Sequence, residues 1–98
     1  MELLTEDEIA ARLAAAPGWE RDGESISQVM TRDDFRDAML YVGAVAYLAE
    51  GANHHPDIAI SWNQVTLTLS THSAGGLTAA DFALAGQISK LGLTGPPG

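Results

Sequence analysis

The sequence predicts an α+β two-layer sandwich, with three helices covering one face of a four-stranded antiparallel sheet in the order α-β-β-α-β-β-α. Two observations point to it. Apolar residues alternate along the chain between a period near 3.6 and a period of two, so helical and extended stretches follow one another in a readable order. Turn and cap signals fall where the period changes. Length sets the bound: 98 residues, 46% of them apolar, fill one core and no second one, so residues 1–93 read as a single domain. Thr94-Gly95-Pro96-Pro97-Gly98 has the composition of a disordered tail.

Thr5 with Glu8 is a capping-box pattern, and Ile9 and Leu13 extend it as an apolar stripe that stops before Pro17-Gly18. A first helix of about ten residues follows. Trp19 to Arg21 and Glu24 to Met30 flank Asp22-Gly23, a dipeptide that supplies the positive φ angles of a two-residue hairpin turn. Thr31 is the predicted cap of the second helix, with Asp33 and Asp34 in its first turn, where negative charge meets the positive end of the dipole.

In that second helix Phe35, Ala38, Met39, Val42, Ala46 and Ala49 recur at helical spacing as the predicted core stripe. Leu40, Tyr41, Ala44, Tyr47 and Leu48 form another. A helix apolar on two faces must bury both, and a domain this small covers one, so the second face is a candidate subunit interface, with a thick core face as the alternative.

After Glu50-Gly51-Ala52-Asn53 the period becomes two, with Ile58, Ile60 and Trp62 on one face of a strand and Asn63-Gln64 as the predicted turn. This alternation reads Trp62 as a core residue. Val65, Leu67 and Leu69 alternate with Thr66, Thr68 and Ser70, which predicts a half-buried strand whose polar phase continues to His72. Gly75-Gly76 breaks it. Thr78 with Asp81 resembles a capping box opening a last helix that carries Phe82, Leu84, Ala85, Ile88 and Leu91.

Composition excludes several function classes. Thirteen acidic against five basic residues give a net charge of −8, which repels nucleic-acid phosphates and anionic lipid. The acidic N-terminus lacks the basic and apolar regions of a signal peptide, and no apolar run reaches membrane-spanning length, so a cytoplasmic protein is expected. The chain has no cysteine, hence no thiolate metal site, thiol catalysis or disulfide. A small domain without disulfides gains from association into an oligomer.

The chemistry gathers between positions 50 and 81. His54-His55-Pro56 lies where a helix ends and a strand begins, and His72 lies at the far end of the next strand. Antiparallel pairing brings the start of one strand beside the end of the other, so the three imidazoles can converge. Pro56 biases His55 toward an extended backbone, which points the neighbouring rings apart and lets them do different jobs. Imidazole titrates nearest neutrality, so one member of such a cluster can donate a proton while another accepts one, as an elimination requires. Glu50, near a helix C-terminus that disfavours its charge, is placed to orient a histidine. Each residue also has a plainer reading: Asp81 as a helix cap, Glu50 solvated at a frayed end, and any one histidine facing solvent. A histidine–carboxylate metal site competes, but adjacent histidines on an extended segment diverge, and the helical spacing of a metalloprotease is missing. A serine or threonine nucleophile at Ser70 or Thr71 lacks the sharp turn that would expose it.

These residues resemble the pterin-4a-carbinolamine dehydratase family. The pattern runs Glu50, three residues, His54-His55-Pro56, five residues, Trp62, nine residues, His72, eight residues, Asp81, specifying seven positions over 32 residues. Leu69-Ser70-Thr71-His72, Gly76-Leu77 and Gly18-Trp19 also look like the family, so the resemblance covers nearly the whole chain. It implies a hydro-lyase acting on a small pterin that carries a hydroxyl at the ring fusion and an N–H beside it. Loss of water gives quinonoid dihydropterin and supports tetrahydropterin recycling, with neither metal nor organic cofactor. It further implies His54 and His72 as the acid/base pair, His55 as the residue that binds and orients the pterin, and Glu50 and Asp81 as supporting carboxylates. Pterin contacts map onto Asn53, His54, His55, Ser70, Thr71, His72 and Ser73. Asn53 stands where animal members often carry an acidic residue, and Trp62 where tyrosine is more usual. The family forms homodimers or homotetramers, which suits the doubly apolar helix. The alternative is a non-catalytic dimerisation or assembly cofactor of the same fold, which loss of the histidines or of Glu50 would favour; none is lost.

Overall fold

The structure, a computed structural model, describes residues 2–93. Along the chain come α1 (Glu6–Ala14), β1 (Glu20–Asp22), β2 (Ser25–Thr31), α2 (Phe35–Ala52), β3 (Asp57–Ser61), β4 (Gln64–Leu69) and α3 (Ala79–Leu93), with a short 3₁₀ helix at His72–Ala74 before α3. The four strands form one sheet in the order β1-β2-β4-β3, each pair antiparallel. This is the predicted α+β architecture and order. The Thr94–Gly98 segment read as a tail lies outside the described residues.

The sheet turns one face to the helices and the other to water. On β4 Val65, Leu67 and Leu69 are fully buried against Ile26 of β2 and Ala38, Val45 and Ala49 of α2, while Thr66 and Thr68 on the opposite face stay half-buried. That is the alternation expected of an antiparallel sheet covered on one side. The few polar groups inside find partners. Trp19 Nε1 donates to Ser89 Oγ at 3.1 Å, and Gln28 Nε2 donates to the Tyr41 hydroxyl at 3.4 Å. Burial pushes the Tyr41 phenol above its usual pKa.

Local sequence signals set an element's boundary where a side chain caps a backbone group, and tertiary pairing overrides them elsewhere. Thr5 and Glu8 form the reciprocal capping box of α1, the Thr5 hydroxyl accepting from Glu8 N and the Glu8 carboxylate from Thr5 N. The first hairpin closes one residue later than predicted: Asp22 pairs with Ser25, so Gly23 and Glu24 make the turn, with Gly23 at φ 61°. A glycine at the first central position fits a type II′ turn, in place of the Asp-Gly type I′ turn expected. Thr31 does not cap α2, because the ladder to β4 claims it as the partner of Gln64. Asp34 caps instead, its carboxylate accepting from Asp37 N at 2.7 Å.

The core stripe of α2 is also corrected. The buried positions are Ala38, Tyr41, Val45 and Ala49, spaced three or four apart, whereas Phe35, Met39 and Ala46 from the predicted stripe are exposed. The two predicted stripes each mixed one inward row with one outward row, since apolar residues surround most of this helix. An outward apolar face nevertheless exists, with Leu40 65% and Tyr47 80% exposed. Trp62 is not in the core. The β3–β4 turn consists of Trp62-Asn63, closed by the Ser61–Gln64 pair, and Trp62 sits there at φ 52° and 65% exposed. Alternation with Ile58 and Ile60 fails for Trp62 because the strand ends before it.

Arg32 joins the sheet to α2. Its guanidinium pairs with Asp37 at 3.0 Å and lies 5.1 Å from the centroid of the Tyr41 ring. Hydrogen bonds from Arg32 first, then from the Asp33 backbone N–H, hold the Asp37 carboxyl below its usual pKa. A carboxyl depressed in the folded state adds stability that is present above its unfolded pKa and lost as pH falls through the folded value. We expect Arg32→Met to be less stable than the native chain near about pH 6 and the gap to shrink below about pH 3.9, the ordinary aspartate pKa. Urea denaturation at both pH values checks this; a gap that widens on acidification contradicts it.

Candidate active site

The site begins at the end of α2. Asn53 adopts a left-handed conformation, φ 50° and ψ 43°, its N–H donating to Glu50 O at 3.2 Å, while the N–H of His54 returns to Ala49 O at 3.1 Å. These two bonds make a Schellman motif with Asn53 as its left-handed residue, a position that asparagine tolerates better than most. The chain leaves the helix sharply, and Pro56 keeps His55 extended into β3.

The adjacent rings then part, as the extended backbone predicts. His54 turns inward, its side chain 14% exposed, and its Nε2 lies 2.5 Å from Oδ1 of Asp81. His55 turns outward at 59% exposure, its Nε2 2.5 Å from Oε2 of Glu50 one helical turn back. Each histidine thus has its own carboxylate, one buried and one in solvent.

Asp81 is the anchor of the buried pair and is 0% exposed. Its Oδ2 accepts from Thr78 N at 2.9 Å, the bond that the capping reading expects, and also from the Thr71 hydroxyl at 2.8 Å. The plain and the functional readings of Asp81 therefore both apply: one oxygen caps α3 and the other holds His54. Pairing of Asp57 with Thr68 brings the start of β3 beside the end of β4. Asp81 then ties His54 to Thr71, the residue immediately before His72.

His72 departs from its predicted phase. β4 ends at Leu69, Thr71 bridges to Gly76, and His72 opens the 3₁₀ helix closed by Gly75 at φ 80°. Its side chain is exposed and makes no ion pair among the described residues. Ser73 beside it is exposed as well. The Ser70 hydroxyl donates to Glu24 O at 2.8 Å, fastening this strand end to the β1–β2 turn. Among the described residues no group of three histidine, aspartate or glutamate side chains stands ready to hold a metal ion. Trp62 lies at the other end of β3, about 17 Å of strand away from His54-His55-Pro56. What the sequence did not disclose is the partnership of Thr71 and Thr78, whose hydroxyls meet at 2.8 Å across seven residues. Thr78 had only its cap pattern to announce it, and nothing local reports a bond that spans a loop.

A profile of the pterin 4 alpha carbinolamine dehydratase family matches residues 2–91. The chain belongs to this family. A relative from Roseiflexus castenholzii, named provisionally as a pterin-4-alpha-carbinolamine dehydratase, is 51% identical over 89 residues, spanning 91% of this chain and 96% of its own. Another from Nocardia farcinica, with the same provisional name, is 51% identical over 90 residues, spanning 92% and 95%. Among solved structures, a transcriptional coactivator/pterin dehydratase from Brucella melitensis superposes with a TM-score of 0.87 at 33% identity, over 91% of this chain and 97% of its own. A pterin dehydratase-like RuBisCO assembly factor of the alpha-carboxysome shares the fold, with a TM-score of 0.64 at 22% identity over 76% of this chain and 88% of its own.

The left-handed turn at Asn53 yields a stability prediction independent of activity. Asn53→Val should lower unfolding free energy by about 1–2 kcal/mol, the cost of a left-handed conformation for a residue with a branched Cβ. Asn53→Gly should not lower it. Equal losses in thermal or urea unfolding would mean that the backbone conformation is not what asparagine supplies.

Proposed function

We propose that this chain is a 4a-hydroxytetrahydropterin dehydratase, which eliminates water from the pterin 4a-carbinolamine to give quinonoid dihydropterin and so supports tetrahydropterin recycling in the cytoplasm. The observation that carries the reading is the pair of divergent histidine–carboxylate contacts at His54–Asp81 and His55–Glu50, within a chain of this family.

The reaction needs two proton transfers. The hydroxyl on the ring-fusion carbon takes a proton and leaves as water, the neighbouring N–H gives one up, and the electrons of that N–H bond become the new C=N bond. We assign the two proton carriers to His54 and His72. His55, more exposed and backed by Glu50, binds and orients the pterin ring. Among the other candidate contacts, Asn53 and Ser73 are exposed beside these histidines. Ser70 has its hydroxyl hydrogen committed to Glu24 O, which leaves its main chain or oxygen lone pairs to meet a substrate. No helix among the described residues is long and apolar enough to cross a membrane.

For the non-catalytic alternative, the RuBisCO assembly factor offers a likeness that extends to the fold alone. The retained Glu50, His54, His55, His72 and Asp81 favour the enzyme. We also infer a homodimer or homotetramer, because α2 presents Phe35, Met39, Leu40 and Tyr47 to solvent on faces that the monomer leaves uncovered.

Two measurements test this. Purified protein should accelerate dehydration of 4a-hydroxytetrahydropterin, and His72→Ala should lose about 10²–10⁴-fold in rate, the usual contribution of a positioned acid or base, while remaining folded. A rate equal to the uncatalysed one removes the dehydratase reading, and a fully active His72→Ala removes the assignment of that residue. Light scattering should return a multiple of the 10.3 kDa chain mass. A monomer at micromolar concentration rejects the assembly.

A further inference from the structure

Thr71 belongs, through the family resemblance, among the substrate contacts, yet its side chain is buried and hydrogen-bonded to Thr78 and Asp81. Only 7% of the residue is exposed. Its hydroxyl carries one hydrogen, and that hydrogen goes to Asp81 Oδ2 at 2.8 Å. The 2.8 Å contact between the Thr71 and Thr78 hydroxyls must then run with Thr78 as donor. Thr78 Oγ1 in turn accepts from Ala80 N at 3.3 Å. The result is a chain of donors with a fixed direction, from the N-terminus of α3 through Thr78 and Thr71 to Asp81 Oδ2, while His54 Nε2 meets the other oxygen, Oδ1, of the same carboxylate.

The backbone of Thr71 is held equally firmly. Its N–H donates to Gly76 O at 2.9 Å, and its carbonyl accepts from Ala74 N and Gly75 N, both at 3.0 Å, and from Gly76 N at 3.3 Å. That carbonyl therefore shapes the turn whose first residue is His72. One residue grips the carboxylate that holds His54 with its hydroxyl and the turn that carries His72 with its carbonyl.

We propose that Thr71 is a positioning residue for the proton-transfer pair: its hydroxyl, oriented by Thr78, fixes His72 relative to the Asp81–His54 unit and keeps Nε2 of His54 engaged so that Nδ1 is the nitrogen offered to substrate. With ionised Asp81 as the acceptor, the hydrogen on His54 sits at Nε2, and the third donor on this carboxylate is what keeps its plane aimed at the ring. Removing the Thr71 hydroxyl leaves Thr78 O–H without an acceptor and Asp81 Oδ2 held by Thr78 N alone, and cuts the tie between the turn of His72 and the Asp81–His54 unit, so the two proton carriers lose their fixed separation. Loss of a residue that acts in this way lowers turnover; loss of one that only binds pterin raises KM.

The kinetic part of this inference rests on the dehydratase reading; the spectroscopic part does not. Thr71→Val preserves shape and removes the hydroxyl, and should reduce kcat by about 10²-fold, the penalty expected for misplaced catalytic groups, with KM unchanged. Thr71→Ser should restore kcat. In ¹⁵N-edited NMR of the imidazoles, His54 should show a slowly exchanging Nε2–H in the native chain and in Thr71→Ser, and lose it in Thr71→Val. If Thr71→Val does not fold, Thr78→Val, which removes the donor that orients Thr71, should weaken kcat and the Nε2–H signal in the same sense. A change confined to KM, or a His54 signal identical in the native and valine proteins, overturns the proposal. If the native protein shows no dehydratase activity, the NMR comparison still decides whether Thr71 positions His54.

Discussion

A carboxylate with no exposed surface is costly to place inside a protein, and the surroundings of Asp81 are organised to offset that cost. Three groups converge on it: the backbone N–H of Thr78 just before its own helix, the Thr71 hydroxyl from the loop after β4, and the His54 imidazole from the segment after α2. Hydrogen bonds to an ionised acceptor in a poorly solvated site are among the stronger ones a protein makes. Two of these donors come from the β4–α3 connection and one from the α2–β3 connection, so satisfying the charge also fastens both connections to the start of α3. The buried polar side chains that the structure describes all have partners, which is the condition under which such a network gives rigidity rather than instability.

Topology brings the donors within reach. β3 and β4 are consecutive and antiparallel, so the segment entering β3 and the segment leaving β4 share one end of the sheet. α3 starts at that same end because Gly75 and Gly76 let the chain turn directly into it. Gly76 is close-packed there, since a Cβ at that position would stand 3.1 Å from the Leu3 side chain. The site thus occupies the end of the β3–β4 pair where α2 terminates and α3 begins. The opposite end holds Trp62, an aromatic residue in a left-handed turn conformation, exposed and remote from the histidines. Its place in the sequence pattern reflects the hairpin rather than the chemistry, because it sits where the strand reverses.

Much of this was legible from sequence, for reasons that differ between residues. The α1 cap, the buried row of β4 and the divergence of His54 from His55 follow from local rules of three- and two-residue periodicity and from Pro56. Two departures share one cause: local pattern alone makes Thr31 a cap and Trp62 a strand residue, whereas ladder pairing with β4 sets where those elements end. The inward row of α2 is not legible because apolar residues on nearly all sides leave no contrast from which to choose it; contact with Val65 and its neighbours chooses it. The Thr71–Thr78 contact was invisible because each residue already had a local explanation.

The three histidines are not equivalent, and burial separates them. The His54–Asp81 pair is shielded, so its geometry is fixed by packing as well as by charge, and its ring can present only one nitrogen outward. The His55–Glu50 pair is exposed on both sides, where a contact of this kind is worth little to stability and is screened by salt. Such a pair can open for an incoming ligand at small cost. His72 has neither support and takes its position wholly from its backbone turn. A site with one fixed ring, one ring free to reorient and one ring carried by a braced loop can hold a proton donor and acceptor at constant separation while a third group adjusts to substrate. Identical environments for all three would leave nothing to distinguish acid from base, and it is the single buried carboxylate, shared between His54 and the loop of His72, that makes them different.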